Sequence, residues 1–156
     1  MGVSCLGVKR GLSLIPNGTM VRVAISKMLH RNRKADAIVD LMRDEFLEDF
    51  RGRMLAAVAI RSKAVEGATC AKEGLAAFRR EIHSLKGTGG SFGFPSVSLI
   101  CQRFEEFLDS MEASELGESG AVSEYLDRLF EILEHRHDLE GAELNATLQA
   151  LPLRPD

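Results

Sequence analysis

Leu75-Ala-Ala-Phe78-Arg79-Arg80-Glu-Ile82-His83-Ser-Leu85-Lys86-Gly87-Thr-Gly89-Gly90-Ser-Phe-Gly93-Phe94 holds both the clearest helical signal in the chain and its sharpest local contradiction. Leu75, Phe78, Ile82 and Leu85 recur at steps of three and four, the spacing of one buried face of an α-helix. Gly87, Gly89, Gly90 and Gly93 then put four glycines within seven residues while the helical pattern still runs. Each interior glycine costs about 1 kcal/mol against alanine, so the stretch gives up roughly 2–4 kcal/mol. Some requirement for bare backbone has to compensate. At about 100° per residue, His83 sits roughly 130° from the centre of the apolar face, which predicts an exposed imidazole. Gly87 and Gly90 continue the same strip one and two turns on, and Arg79, Arg80 and Lys86 surround it.

Outward from this segment the same period repeats. Thr69 is placed to cap the helix, which is expected over residues 70 to about 91. Upstream, Asp36 can cap a long helix in which Ile38, Leu41, Met42, Phe46, Leu47, Phe50, Met54, Val58 and Val65 form the apolar face, closing near Gly67. Downstream, Pro95 suits the first turn of a helix striped by Val97, Ile100, Phe104, Phe107, Leu108 and Met111. Gly117 and Gly120 bracket the next start, and Val122, Tyr125, Leu126, Leu129, Ile132 and Leu133 carry a last stripe to about Leu139. A Pro-Asn-Gly turn at 16 to 18 precedes a short helix over 19–30, made by Val21, Ile25, Met28 and Leu29, which gives out in the basic run His30 to Lys34. The predicted fold is all-α: a mainly antiparallel, up-and-down four-helix bundle with an additional short N-terminal helix. Residues 1–35 read as a basic, partly disordered extension, with disorder before residue 18 and Met20 or Met28 as candidate first residues. Residues 36–140 read as the bundle domain and 141–156 as a frayed C-terminal tail.

Composition narrows the function classes. A chain of 156 residues, 45% hydrophobic and 28% charged, has the balance of one globular domain, and no apolar run approaches the roughly 20 residues that span a bilayer. Membrane insertion is therefore not expected. Cys5, Cys70 and Cys101 are odd in number and widely spaced, which fits neither a disulfide framework nor a paired-cysteine zinc site and points to a reducing cytoplasm. The net charge of −3 conceals a division: residues 1–35 hold seven basic residues and no acid, and the remainder carries −10. Phosphate-backbone binding by the basic segment would oppose the field of the acidic remainder, so no nucleic-acid partner is expected.

The chemistry left to the glycine-flanked histidine is specific. A neutral imidazole nitrogen is a good nucleophile near pH 7 and can hold a phosphoryl group as a phosphoramidate, whose negative charge calls for a cation. Lys86 stands one turn away. Small residues at Gly87 and Gly90 let the active site of another protein close over the helix. A histidine and a lysine one turn apart are by themselves an ordinary surface pair; the glycines tip the reading toward a carrier.

The segment from His83 to Phe94 resembles the signature of the histidine-containing phosphotransfer (HPt) domains of two-component phosphorelays: His-x-x-Lys-Gly, with a further glycine ten residues after the histidine. It is most similar to the N-terminal phosphotransfer domain of chemotaxis histidine kinases. The resemblance spans residues 36–140, its specific motif only 83–94. It implies that His83 is phosphorylated, that Lys86 compensates the phosphate charge, and that Gly87 is the contact point for the partner; Gly90, Arg79 and Arg80 on the surrounding strip are the further partner-binding positions expected from the helix geometry. It also implies a glutamate on the following helix, 22 residues after the histidine, bonded to the other ring nitrogen; that position is Glu105. Glu105 falls about 95° from the centre of its own helix's stripe, at the edge of the core. The implied partners are a sensor histidine kinase and a response-regulator receiver domain, with no cofactor and no ATP-binding site of the chain's own.

Other chemistries fit less well. Lys86 precedes the glycines instead of following them, so the segment is not a P-loop. Glu134 and His137 form one Glu-x-x-His step, but a di-iron bundle needs two such steps and two further glutamates, so no metal is expected. The remaining alternative is a helical-bundle interaction scaffold that is never phosphorylated.

Overall fold

A computed structural model of the chain describes the backbone of residues 18–153 and the side chains of residues 33–153. Among these residues all regular structure is helical: α1 (Gly18–Val65), α2 (Ala71–Gly89), α3 (Pro95–Asp109), α4 (Gly120–His135) and α5 (Gly141–Ala150), with single 3-10 turns at Gly90–Phe92 and Ala113–Glu115. The chain divides after Ile38, and the bundle lies in the unit that begins at Val39. The disorder expected before residue 18 and Cys5 lie outside the described residues.

Cross-links along the helices fix their directions. Arg53 Nη1 reaches Glu81 at 3.4 Å, and Phe46 stacks on Phe92 with ring centroids 5.3 Å apart, so α1 and α2 run antiparallel. Phe104 stacks on Tyr125 at 4.3 Å while Ser96 binds Asp138, which makes α3 and α4 antiparallel. Arg61 near the end of α1 donates to Ser123 Oγ at 2.8 Å, and Asp44 near the start of the bundle accepts from Arg136. The antiparallel bundle is as expected. Its core joins Phe46, Phe50 and Met54 of α1 to Phe78, Ile82 and Leu85 of α2, Ile100 and Phe104 of α3, and Tyr125 and Leu129 of α4.

Four expectations need correction. The short N-terminal helix is not separate: α1 is continuous for 48 residues through the basic run. The run holds no glycine or proline, and Arg, Lys and Ala are strong helix formers, so charge alone does not end the helix. Asp36 is interior to α1, not a cap. Ile38, Leu41 and Met42 are exposed because the buried positions begin at Phe46, and Val58 and Val65 are exposed because Ala57 and Ala64 take the inward places. Thr69 does not cap α2; Cys70 is the capping residue and offers no side-chain bond.

The C-terminal half differs too. α4 stops at His135, where Arg136 adopts a left-handed conformation with φ of 53°, and does not run on to Leu139. The turn frees Asp138, buried against the start of α3, to accept from Ser96 N at 3.1 Å and from Ser96 Oγ. This carboxylate supplies the N-terminal cap that α3's own sequence lacks. Where fraying was expected, α5 forms. It is held by buried Leu151 and by the Tyr125 hydroxyl, which donates to Pro152 O at 2.6 Å.

Candidate functional site

The antiparallel pairing of α2 with α3 builds the site. His83 projects from α2 with 72% of its side chain exposed, as its angular position required. Its Nδ1 lies 2.8 Å from Glu105 Oε1 on α3. Glu105 is only 20% exposed, and its second oxygen accepts from Lys86 Nζ. One carboxylate therefore bridges the imidazole and the lysine. With Glu105 ionised, Nδ1 carries the ring proton and donates it, which leaves the lone pair of Nε2 free and directed at solvent.

The surroundings are mixed in charge. Arg79, Arg80, Lys86, Ser84, Glu105 and Asp109 line a shallow depression with His83. Three cations face two carboxylates, so the floor keeps a positive excess. Arg79 is already engaged: its guanidinium donates to Leu108 O at the end of α3 and lies 3.6 Å from Asp109. Arg80 is exposed at the rim. Cys101, buried one turn before Glu105, is kept as a thiol, its pKa pushed up by burial and then by the Glu105 charge.

The glycines divide into two pairs. Gly87 is exposed, and a Cβ there would meet nothing within 4 Å. Gly90 is exposed as well, with only Ser98 Oγ in ordinary contact at 3.5 Å from such a Cβ. Gly89 answers to the fold: a Cβ would stand 2.9 Å from Phe94 O and 3.1 Å from Val97 Cβ, so glycine is what lets α3 start against the end of α2. Gly93 turns the chain with φ of 83°, a conformation that L side chains rarely take.

Sequence reasoning missed Ser98 and Asp109. Ser98 Oγ accepts from Gly90 N at 2.9 Å and donates to Lys86 O at 2.8 Å, tying the end of α2 to α3 directly beneath the glycine strip. The antiparallel register that brings 83 level with 105 also brings 90 level with 98 and 79 level with 109, so both partners follow once that register is fixed. Glu134 and His137 do not share a helix, since α4 ends between them. Among the described residues no group of three or more His, Cys, Asp or Glu is placed to hold a metal ion, and no helix is long and apolar enough to cross a membrane.

A helical bundle with an exposed histidine that is backed by a carboxylate and flanked by a lysine and open glycines has the features of a phosphoryl carrier. The family model described as the Hpt domain matches residues 41–151. The match takes in most of the chain, including α2 to α5, and the chain belongs to the Hpt domain family. Searches among curated proteins and among solved structures found no match. Membership gives the chain a histidine phosphotransfer role in two-component signalling, the work of a phosphocarrier module that meets kinases and receiver domains.

Proposed function

We propose that His83 is the residue that carries the phosphoryl group, relaying it between a sensor histidine kinase and the aspartate of a receiver domain in the cytoplasm. The observation that carries this reading is the 2.8 Å contact between His83 Nδ1 and Glu105 Oε1 beneath a largely exposed ring. In the proposed step the Nε2 lone pair attacks the phosphorus of an aspartyl phosphate. The N–P bond forms as the P–O bond breaks, and the electron pair leaves on the aspartate carboxylate. Nδ1 keeps its proton throughout, and Glu105 stabilises the positive charge that grows on the ring. Transfer onward is the same step reversed on a second receiver.

Lys86 has two roles in this reading. Before transfer it fixes Glu105 through the second carboxylate oxygen; once the phosphoryl group is present, it and Arg80 balance the added charge. Gly87 and Gly90 keep the approach to Nε2 clear for the partner's loops. Arg79 orients the end of α3 through Leu108 O. Residues 1–35 precede the matched segment in sequence as a basic extension, and the partner supplies the rest of the active site.

Incubation with a phosphorylated receiver domain or an active sensor kinase tests the reading. The chain should take up an acid-labile, base-stable label, and His83→Gln should remove it while the bundle stays folded, because an exposed side chain contributes little to the core. A label that persists in that variant overturns the assignment to His83 and moves the phosphoryl group to another residue, whereas a chain that no kinase or receiver labels leaves a helical-bundle interaction scaffold as the better account.

A further inference from the structure

Away from the transfer site, α1 carries apolar side chains that stand exposed among the described residues. Its buried positions begin at Phe46, yet Val39 and Met42 of the same stripe are 61% and 46% exposed. The spacing continues toward the N-terminus of the helix: Val21, Ile25, Met28, Asn32, Ala35, Val39, Met42 and Phe46 follow one another at alternating steps of four and three. That is a seven-residue repeat with a mean spacing of 3.5, the period that keeps a seam facing a second helix as the two wind together. Asn32 is the one polar residue in it and falls on the same repeat position as Ile25 and Val39. A lone asparagine at such a position sets register and strand number at some cost in stability.

We propose that residues 21–42 of α1 form an antiparallel two-stranded coiled coil with a second copy of this chain. Charge identifies the occupant. Residues 18–34 hold Arg22, Lys27, Arg31, Arg33 and Lys34 and no acid, whereas residues 36–49 hold six acids against Arg43 alone. A parallel pair would lay each block along its like. An antiparallel pair lays basic along acidic, twice over by symmetry. One register satisfies both the seam and the charges. Pairing Ile25 of one copy with Met42 of the other, Met28 with Val39 and Asn32 with Ala35 puts Arg22 level with Glu45, Lys27 with Asp40 and Arg31 with Asp36. The complement each half of the helix calls for is thus the other half of an identical helix.

Sedimentation equilibrium of the full chain over roughly a hundredfold range of concentration is the test. A reversible monomer–dimer equilibrium is expected, and it should weaken as salt rises, because the charges brought together are opposite. Val39→Glu combined with Met42→Glu, both at exposed positions, should raise the dissociation constant by at least about tenfold while the melting temperature of the bundle and phosphotransfer stay as they were. If that variant loses helix, Val39→Ala with Met42→Ala keeps helix propensity and must show the same direction of change. A monomer at every concentration, or a dimer that these substitutions leave intact, overturns the proposal. A dimer that tightens with salt overturns the antiparallel arrangement.

Discussion

Removing the Glu105 carboxylate probes the transfer chemistry with little disturbance to the bundle. Glu105→Ala deletes the acceptor 2.8 Å from His83 Nδ1 and the partner of Lys86 Nζ, while the neighbouring core residues Cys101, Phe104 and Leu108 stay in place. A hydrogen bond to a charged group contributes about 1.5–3 kcal/mol when shielded. His83 is 72% exposed, so water competes, and we discount the contribution to about 1–1.5 kcal/mol. If that stabilisation develops with the ring charge in the transition state, transfer should slow by about five- to twelvefold. Glu105→Gln keeps an acceptor oxygen without the charge and should fall between the two. Rapid-quench measurement of phosphoryl transfer from a labelled receiver domain gives the rates, and circular dichroism gives the melting temperature. A Glu105→Ala variant that transfers within about twofold of the parent in both directions would refute the argument that the carboxylate assists the ring.

Three further outcomes follow from the same geometry. Gly87→Gln should fold and gain roughly 0.5–1 kcal/mol of stability, since the site is open and glycine is a poor helix former, yet transfer should drop as the new side chain blocks the receiver; stability by denaturant melt and transfer rate together check it. Gly89→Ala should do the opposite, costing roughly 1–3 kcal/mol because its Cβ would stand 2.9 Å from Phe94 O, and a melt unchanged by that substitution would contradict the packing described. Burial pushes the Tyr125 hydroxyl from its ordinary 10.0 up to about 12. The folded state therefore holds that proton more tightly than the unfolded chain, so the stability it contributes is complete below about pH 10 and is lost as pH rises toward 12, a decline that melts of Tyr125→Phe should not share.

The legible parts of the molecule are those set by local periodicity. Leu75, Phe78, Ile82 and Leu85 fixed the face of α2, and simple rotation then put His83 outside, where it is found. The pairing of His83 with Glu105 is implied by the resemblance and agrees with the rotation on α3, but the 2.8 Å contact depends on how closely α2 and α3 pack, which no local pattern sets. The continuity of α1 was hidden because a run of positive charge looks like a boundary, although nothing in it opposes a helix. α5 carries no apolar stripe, since none of its residues is fully buried: Leu148 packs partly against the core, and Tyr125 and Leu151 hold its end. Asp138 and Ser98 act across 42 and 8 residues respectively, joining helix ends through tertiary geometry that no local pattern announces. The glycines show both sides of the matter. Their cost was plain in the sequence, but only the approach of Phe94 and Val97 separates Gly89, which the fold needs, from Gly87, which it does not.

In the proposed transfer, Nε2 of His83 bears the phosphoryl group while Nδ1 stays bonded to Glu105. The chain holds four histidines, and nitrogen-15 labelling of their rings followed by phosphorylation from a receiver domain allows phosphorus–nitrogen coupling to be read for each nitrogen. A single coupled nitrogen is expected, Nε2 of His83, with Nδ1 still protonated. Coupling at Nδ1 of His83, or at His30, His135 or His137, would contradict it.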